Sequence, residues 1–539
     1  MRGAPGATTL DNTGQYLPPG STGNAMALNG PVQGQVLSTT TFINSGSINL
    51  QANPVPGDVL LISGGQTPGA NGGGVFVSNG GRLLVDTVLN EGDPNSRSDV
   101  LVLDSATVAA GPTRLSVANA GGLGALTLGN GILVVQAVPG GTTAPAAFAL
   151  AGPVVAGPYD YLLFRGSRDA SAPESWFLRS TIDCTLAPND PACKIPEPGP
   201  GPTPPGPLKP NFRPETSLYA AIPALALLYG RTLLDTLHER VGEEEDLRAR
   251  RQSSASPYSN GTWGRVIAQH GNRDGDDIGS FGAGPRYDYD FGAFQIGQDF
   301  YRWQQANGYR THAGVYGAIG GAHSDVTHFD GFRAGDDNFM AYSAGGYWTT
   351  FGPTGWYVDS VLQGTFYDLN GNSNRLPALH TEGWGLGASL EGGAPFKVGG
   401  GWQIEPQVQL IYQAININEG SDIGATVRFD GVNSLAGRIG VRFANTFAMP
   451  GLASPGLVTA WFRPNLWHEF LGDPKTLFSS ETGFIPFRAD LGGSWVELNT
   501  GISTQINRTT SLYANASYQI GLDGDSTAWD GKVGLRFNW

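Results

Sequence analysis

The most regular feature of this chain is an alternation of apolar and polar residues sustained through its C-terminal half. In 403–413, Ile404, Val408, Leu410 and Tyr412 alternate with Gln403, Glu405, Gln407, Gln409 and Gln413. In 435–443, Leu435, Ile439, Val441 and Phe443 alternate with Ala436, Arg438, Gly440 and Arg442. In 511–520, Leu512, Ala514, Ala516, Tyr518 and Ile520 alternate with Ser511, Tyr513, Asn515, Ser517 and Gln519, and in 532–539 Val533, Leu535, Phe537 and Trp539 alternate with Lys532, Gly534, Arg536 and Asn538. A period of two places each set on one face of a strand. Extended along the chain, this pattern predicts strands near 261–270, 286–302, 309–323, 337–350, 355–368, 381–392, 401–417, 433–447, 456–470, 490–504, 509–522 and 530–539. The count is even, and the segments reach the roughly 9–11 residues a tilted strand needs to cross a bilayer. Trp348, Phe351, Trp356, Phe366, Tyr367, Trp402, Tyr412, Trp461, Trp467, Phe537 and Trp539 crowd the strand ends, where aromatic girdles are expected. A soluble β-sandwich is the competing reading, disfavoured by strand length and by the aromatic chain end.

The region before this has another texture. Residues 1–183 carry no Lys, no His and one Trp, Trp176. Short apolar runs such as DVLLI (58–62) and GVFV (74–77) lie between Gly/Asn turns and read as strands. FINSGSINL (42–50), VFVSNGGRLLV (75–85) and DVLVLDSATV (99–108) recur at uneven spacing, as rungs of a β-solenoid would. The irregularity keeps a β-sandwich open. Residues 195–210, IPEPGPGPTPPGPLKP, form a proline-rich spacer, extended and semi-rigid.

Residues 211–251 turn helical in pattern. Pro223 suits a first turn, and a helix from there to Arg250 would run ~40 Å at ~1.5 Å per residue. Arg231, Asp235, His238, Glu239 and Arg240 interrupt the apolar stretch, which excludes a lipid-facing span. A water-filled barrel lumen accepts such charges; a surface or coiled-coil helix is the alternative. Arg265, Asp359, Glu391, Glu405, Arg438, Arg442 and Arg536 fall on the inward-facing sets and are candidates to pair with the helix charges, or else remain solvated.

Composition narrows the function classes. With 32 basic residues against 46 acidic ones and a net charge of -14, the chain is a poor nucleic-acid partner. Gly at 80 and Pro at 37 of 539 residues suit many short strands and turns. Cys184 and Cys193 bracket a turn-rich loop and fit a small disulfide of an oxidising compartment, two unrelated thiols being the other reading. All seven histidines lie at or after His238, so no Ser–His pair forms within 1–183. No Walker-type loop is present. No catalytic, metal or cofactor residue is assigned. Residues 1–30 show no secretory signal, which leads us to expect a longer precursor or a start assigned too far downstream.

In this order, strands, a proline-rich spacer, a helix leading into GTWGRVI (261–267), twelve strands and a terminal aromatic residue, the chain resembles a monomeric type V autotransporter. Residues 98–138, with the pair YDYLLFRG (159–166) and SWFLRS (175–180), resemble the autochaperone region of pertactin-type passengers. SLYAAIPALALLYGRTLLDTLHERVGE (217–243) resembles the stretch before such barrels. The final KVGLRFNW resembles an outer-membrane β-signal, carried by Lys532, Gly534, Phe537 and Trp539. The resemblance implies an all-β chain: a β-solenoid passenger portion (1–183, autochaperone near 98–180), a Cys loop and Pro-rich linker (184–210), a linker and pore helix (211–260), and a 12-stranded antiparallel transmembrane barrel (261–539). It implies a monomer in outer-membrane lipid that exports its own passenger, with the barrel assembly machinery and periplasmic chaperones as partners. A non-enzymatic stalk or adhesin is the expected passenger; an enzyme passenger lost upstream and a simple porin are the alternatives.

Overall fold

The computed structural model describes residues 9–16, 33–53, 55–66, 69–93, 96–185, 193, 208–242, 258–275, 284–449, 456–507 and 509–538. By contact the chain divides into two compact units: 1–213 with 421–426 and 478–485, and 214–420 with 427–477 and 486–539.

In the first unit, short strands stack into three parallel sheets. One contains Thr9–Asn12, Thr41–Asn44, Val75–Asn79 and Ser105–Gly111. The second contains Gln15–Tyr16, Ser47–Asn49, Arg82–Thr87, Thr113–Asn119 and Phe148–Leu150. The third contains Gln33–Val36, Val59–Ile62, Val100–Leu103 and Ile132–Ala137. Thr9 stacks on Thr41, Thr41 on Val75 and Val75 on Ser105, so each circuit of the chain adds one strand to every sheet. Parallel stacking of this kind is a β-solenoid, not a sandwich. The core follows from the register: Phe42, Phe76 and Phe148 stack at 5.8 Å intervals, and Trp176 closes the column at 5.5 Å. Trp176 begins Trp176–Arg179, which pairs antiparallel with both Ile132–Ala137 and Leu162–Arg165. This hairpin covers the third sheet's last parallel edge, an otherwise open template for pairing. The proline-rich stretch lies outside the described residues except for its end, where Leu208–Pro210 pairs with Thr181–Asp183.

The second unit is a closed barrel of twelve antiparallel strands. They are Tyr258–Arg273, Arg286–Gln304, Arg310–Thr327, Arg333–Phe351, Tyr357–Ser373, Leu379–Gly393, Trp402–Ile417, Asn433–Ala448, Leu457–Glu469, Gly493–Gln505, Thr510–Gly521 and Ser526–Asn538. The first and last pair from Gly261↔Asn538 to Arg273↔Ser526, leaving no open edge. Burial is inverted relative to a water-soluble protein. Val408, Leu410 and Tyr412 are 58, 48 and 47 % exposed, whereas Gln407, Gln409 and Gln413 are 2, 5 and 3 % exposed. A continuous apolar exterior around a polar interior is the signature of a barrel solvated by lipid.

Two expectations require correction. The helix does not begin at Pro223: α1 spans Glu215–Leu234, the chain breaks at Asp235–Thr236, and a short α2 spans Leu237–Val241. Pro214 occupies the N-cap, and Pro223 lies mid-helix, where it deprives the Tyr219 carbonyl of its usual N–H donor. Thr476 Oγ1, in the connection 470–492 between two barrel strands, donates to that carbonyl at 3.2 Å and restores what proline removes. The expected helical end at Arg250 lies outside the described residues. The aromatic girdle is also smaller than expected. Trp348, Phe366, Trp402, Tyr412 and Phe537 face outward, and Trp356 is half-buried in a turn. Phe351, Tyr367, Trp461 and Trp467 are buried on the inner face, because strand parity, not residue type, decides which side a ring occupies. Trp539 lies outside the described residues.

Candidate functional site: the filled barrel lumen

The interior of the barrel is occupied by α1 and α2, which are buried along nearly their whole length. α1 is the one helix among the described residues long and apolar enough to cross a membrane, yet it lies against protein. The Glu215 carboxylate accepts from Ser373 Oγ (2.5 Å) and Arg375 Nη2 (3.2 Å), and Ser217 Oγ is 2.7 Å from His328 Nδ1. Further along, Tyr367 OH donates to the Ala226 carbonyl (3.4 Å) and Gln413 Nε2 to the Leu227 carbonyl (3.0 Å). The Tyr229 ring meets Phe291, Phe339 and Tyr367 edge-on. Arg231 ends the helix with its guanidinium 4.5 Å above the Trp495 ring, a geometry that offsets part of the cost of burying the cation.

The break between the helices concentrates the charge. Asp235 adopts φ +53°, one of three non-glycine residues with positive φ among those described. Asp tolerates this region better than most residues. Its carboxylate is held by Arg265 Nη1 (2.6 Å) and Lys532 Nζ (2.9 Å), and its carbonyl accepts from Gln409 Nε2 (2.7 Å). Thr236 then caps α2, its hydroxyl accepting from Glu239 N. Within α2, Leu237 N donates to Glu391 Oε2 (2.9 Å) and His238 Nε2 lies 2.9 Å from Glu405 Oε1. Glu239 pairs with Lys532 (2.5 Å) and Arg463 and accepts from Asn499 (2.9 Å). Arg240 Nη2 reaches both Asp359 oxygens at 2.8 and 2.9 Å, while its carbonyl accepts from Tyr513 OH at 2.6 Å. Buried charges are tolerable when paired in this way, and removing one partner strands the other.

Of the lumen candidates, Arg265, Asp359, Glu391 and Glu405 touch the helices directly. Arg438 stands one step back, 3.2 Å from Glu391 and within 3.0 Å of Gln407 and Gln409. Arg442 is 3.9 Å from Glu405, and Arg536 pairs with Asp299 in the wall. Sequence reading passed over Arg463, Asn499 and Tyr513 as helix contacts, although each sits at an inward parity position. It also passed over the helix break, whose signal is the Thr236–Glu239 spacing T-x-x-E that often opens a helix. Of the residues expected to form a β-signal, Lys532 points inward to Glu239, Gly534 lies beneath the Tyr513 ring and Phe537 faces outward. Cys184 and Cys193 are joined, with Cα atoms 5.4 Å apart.

The arrangement is an occlusion. Cavities beside α1 and α2 measure about 10, 20 and 40 Å³, room for isolated waters at most in the smaller two. No cluster of His, Cys, Asp or Glu suited to a metal is present among the described residues.

Comparison with known proteins agrees with this architecture. Residues 262–517 match the autotransporter beta-domain model, and 73–163 match the Autochaperone Domain Type 1 model. The chain is 31 % identical to the adhesin BmaC autotransporter of Brucella suis, over 86 % of this chain and 13 % of that protein. It is 30 % identical to YuaQ of Escherichia coli K12, over 95 % of this chain and 35 % of that protein. It is 28 % identical to the pertactin autotransporter of Bordetella bronchiseptica, over 85 % of this chain and 49 % of that one. The chain thus spans less than half the length of each of these relatives. The solved transport unit of AIDA-I from Escherichia coli superposes with a TM-score of 0.49 at 19 % identity, covering 61 % of this chain and 100 % of that one. A lipid-solvated twelve-stranded barrel filled by its own upstream helix, matched by the beta-domain model, places the barrel in a bacterial outer membrane, and the chain carries an autotransporter beta-domain preceded by an autochaperone domain.

Proposed function

We propose that this chain anchors and exports its own N-terminal solenoid across the outer membrane and afterwards holds the pore closed with α1 and α2. The observation that carries this reading is that Glu215–Val241, upstream of the first barrel strand in sequence, lies inside the barrel, with Asp235, Glu239 and Arg240 each paired to the wall. A chain that threads its own barrel has its passenger on one side and its anchor in the bilayer. On this reading the functional division is passenger 1–183, Cys loop and linker 184–210, pore segment 211–260 and barrel 261–539. The solenoid serves as a stalk or adhesin: it carries no histidine for a Ser–His pair, and BmaC is named an adhesin. Insertion uses the barrel assembly machinery, which reads Lys532, Gly534, Phe537 and Trp539 on the last strand by edge pairing. Periplasmic chaperones keep the apolar exterior from aggregating beforehand.

Protease added to intact cells that express the full precursor tests the proposal. The solenoid should be degraded while a barrel fragment persists. Degradation only after the outer membrane is permeabilised would overturn it.

A further inference from the structure

Near its C-terminal end, α1 borders a cavity of about 20 Å³ that it shares with the first barrel strand. Arg231 of α1, Arg273, Tyr289, Asp523 and the ends of the last and tenth strands, 526–528 and 493–495, line it. Arg273 closes the strand Tyr258–Arg273, and Gly493 follows the connection 470–492. In bacterial barrels the longer connections face outside, so the cavity lies toward the external medium.

Three groups on this lining carry donors that meet no acceptor. The side chains of Arg231 and Arg273 make neither an ion pair nor a hydrogen bond with any described residue. Arg231 rests on the Trp495 ring, and Arg273 repels it across the cavity. Tyr289 is 4 % exposed, yet its hydroxyl also has no hydrogen-bond partner among the described residues. Buried donors are ordinarily paired. The nearby wall carboxylates are committed elsewhere. Glu469, opposite Gly493, accepts from Ser434 Oγ and from the N–H groups of Leu435, Leu471 and Gly472. Glu497 accepts from Asn465, Trp467 and Gln519. Asp523 borders the cavity but pairs with neither guanidinium.

We propose that this cavity binds a chloride ion from the external medium, held by the Arg231 and Arg273 guanidiniums and the Tyr289 hydroxyl, and that the ion ties the end of α1 to the first barrel strand. A guanidinium offers N–H donors alone, and a water has only two lone pairs to share among three donor groups. A water would also leave the two cations facing each other, whereas an anion accepts from all three groups and removes the repulsion. Two guanidiniums less the one Asp523 carboxylate leave a single positive charge, which a monovalent anion matches. Size selects further. Chloride needs little more room than a water, so a space of this volume admits a halide and turns away phosphate, sulfate or gluconate.

Bromide, which replaces chloride and scatters anomalously, reads the site directly. Crystals of the full chain grown in sodium bromide should show an anomalous peak between Arg231 and Arg273. In solution, exchanging sodium gluconate for sodium chloride at equal ionic strength should raise the midpoint of heat-modifiable gel mobility by about 2–4 °C, as for an ion at about ten times its dissociation constant. Arg273→Gln, a change at a strand end, should lose both the peak and the chloride shift. Equal midpoints of the native chain in the two salts would overturn the proposal, as would the absence of the peak. A shift that persists in folded Arg273→Gln would overturn it too. A peak without a shift would mean an adventitious ion only, and the proposal would fall.

Discussion

The ring of Tyr513 occupies the space that a β-carbon on Gly534 would need: such an atom would lie 2.0 Å from Tyr513 Cζ. The two residues face each other in register on the last two barrel strands. The same relationship recurs between Gly501 and Trp461 and between Gly297 and Trp263, at 2.4 Å each. Rings laid over glycines let neighbouring inner-face side chains pack flat around the helices. Gly534→Val should therefore force Tyr513 out of place and destabilise the barrel by about 1–3 kcal/mol, the usual scale of overpacking. The check is the fraction of heat-modifiable, folded barrel on a semi-native gel; a fraction equal to the native chain's would contradict the packing described.

Glu239 is the counter-charge of both Arg463 and Lys532. Glu239→Ala would take from buried Arg463 the carboxylate it pairs with, while Lys532 keeps Asp235, a loss of about 3–5 kcal/mol for a buried pair broken on one side. Planar-bilayer recordings should show frequent openings of this variant against a quiet native channel. Removing Glu215–Val241 should raise single-channel conductance severalfold. Native-like silence in both would mean that the helices do not control the pore.

Asp86 and Asp99 lie buried in the solenoid, and each is pushed up to about 6, first by burial and further by the charge of Asp58. The backbone N–H groups of Gly57, Asp58 and Asp86 pull Asp99 the other way without cancelling the effect of burial. The folded state therefore holds these protons more tightly than the unfolded chain, whose carboxylates titrate near ~4. Their contribution to stability is complete below ~4 and is lost as pH rises through about 6. Hydrogen exchange in Val100–Leu103, corrected for intrinsic rate, should show greater protection at pH 5 than at pH 7.5, by roughly tenfold in the opening constant for each pKa unit involved. Asp86→Asn should flatten this dependence; a dependence of opposite sign would refute the assignment.

The Cys184–Cys193 link closes a short loop beside the spacer. On the chain-entropy account it contributes about 2–3 kcal/mol of local stability. Exported protein alkylated without reductant should show no modified thiol; two adducts per chain would rule the link out.

Residues 214–242 contain no Asn. Self-cleavage within the lumen by an Asn side chain attacking its own carbonyl is thus denied to the described pore segment. Outer membranes should yield one band carrying both solenoid and barrel unless an outside protease cuts the spacer. A barrel fragment beginning within α1 or α2, formed by purified protein alone, would contradict this.

The barrel was legible because the bilayer imposes a period of two on every strand, and Gln407, Val408, Gln409 and Leu410 carry that period without interruption. The lumen candidates were legible for the same reason: parity placed Arg265 and Asp359 inside before any partner was known. What parity does not reveal is which inner residue meets which helix residue, and so Arg463 and Asn499 went unremarked. The helix start was misread because two prolines, Pro214 and Pro223, both suit a first turn. Only the connection 470–492, through Thr476, makes the second compatible with a helix interior. Phe351, Tyr367, Trp461 and Trp467 were misassigned because residue type was weighed above position in the strand.

On the proposed export route, Pro223 would also set the order of events. In water, a proline at the ninth position of a twenty-residue helix costs about 3 kcal/mol and leaves the Tyr219 carbonyl without its intrahelical partner. Before it reaches the barrel the segment is accordingly a poor helix, and an unstructured strand of polypeptide slides through a narrow opening more readily than a rigid rod. Once Thr476 is alongside, the missing bond is replaced and the rod forms in place. If the segment passes through its own barrel as proposed, the residue that looks like a flaw in α1 keeps it supple on the way and lets it stiffen only at its destination.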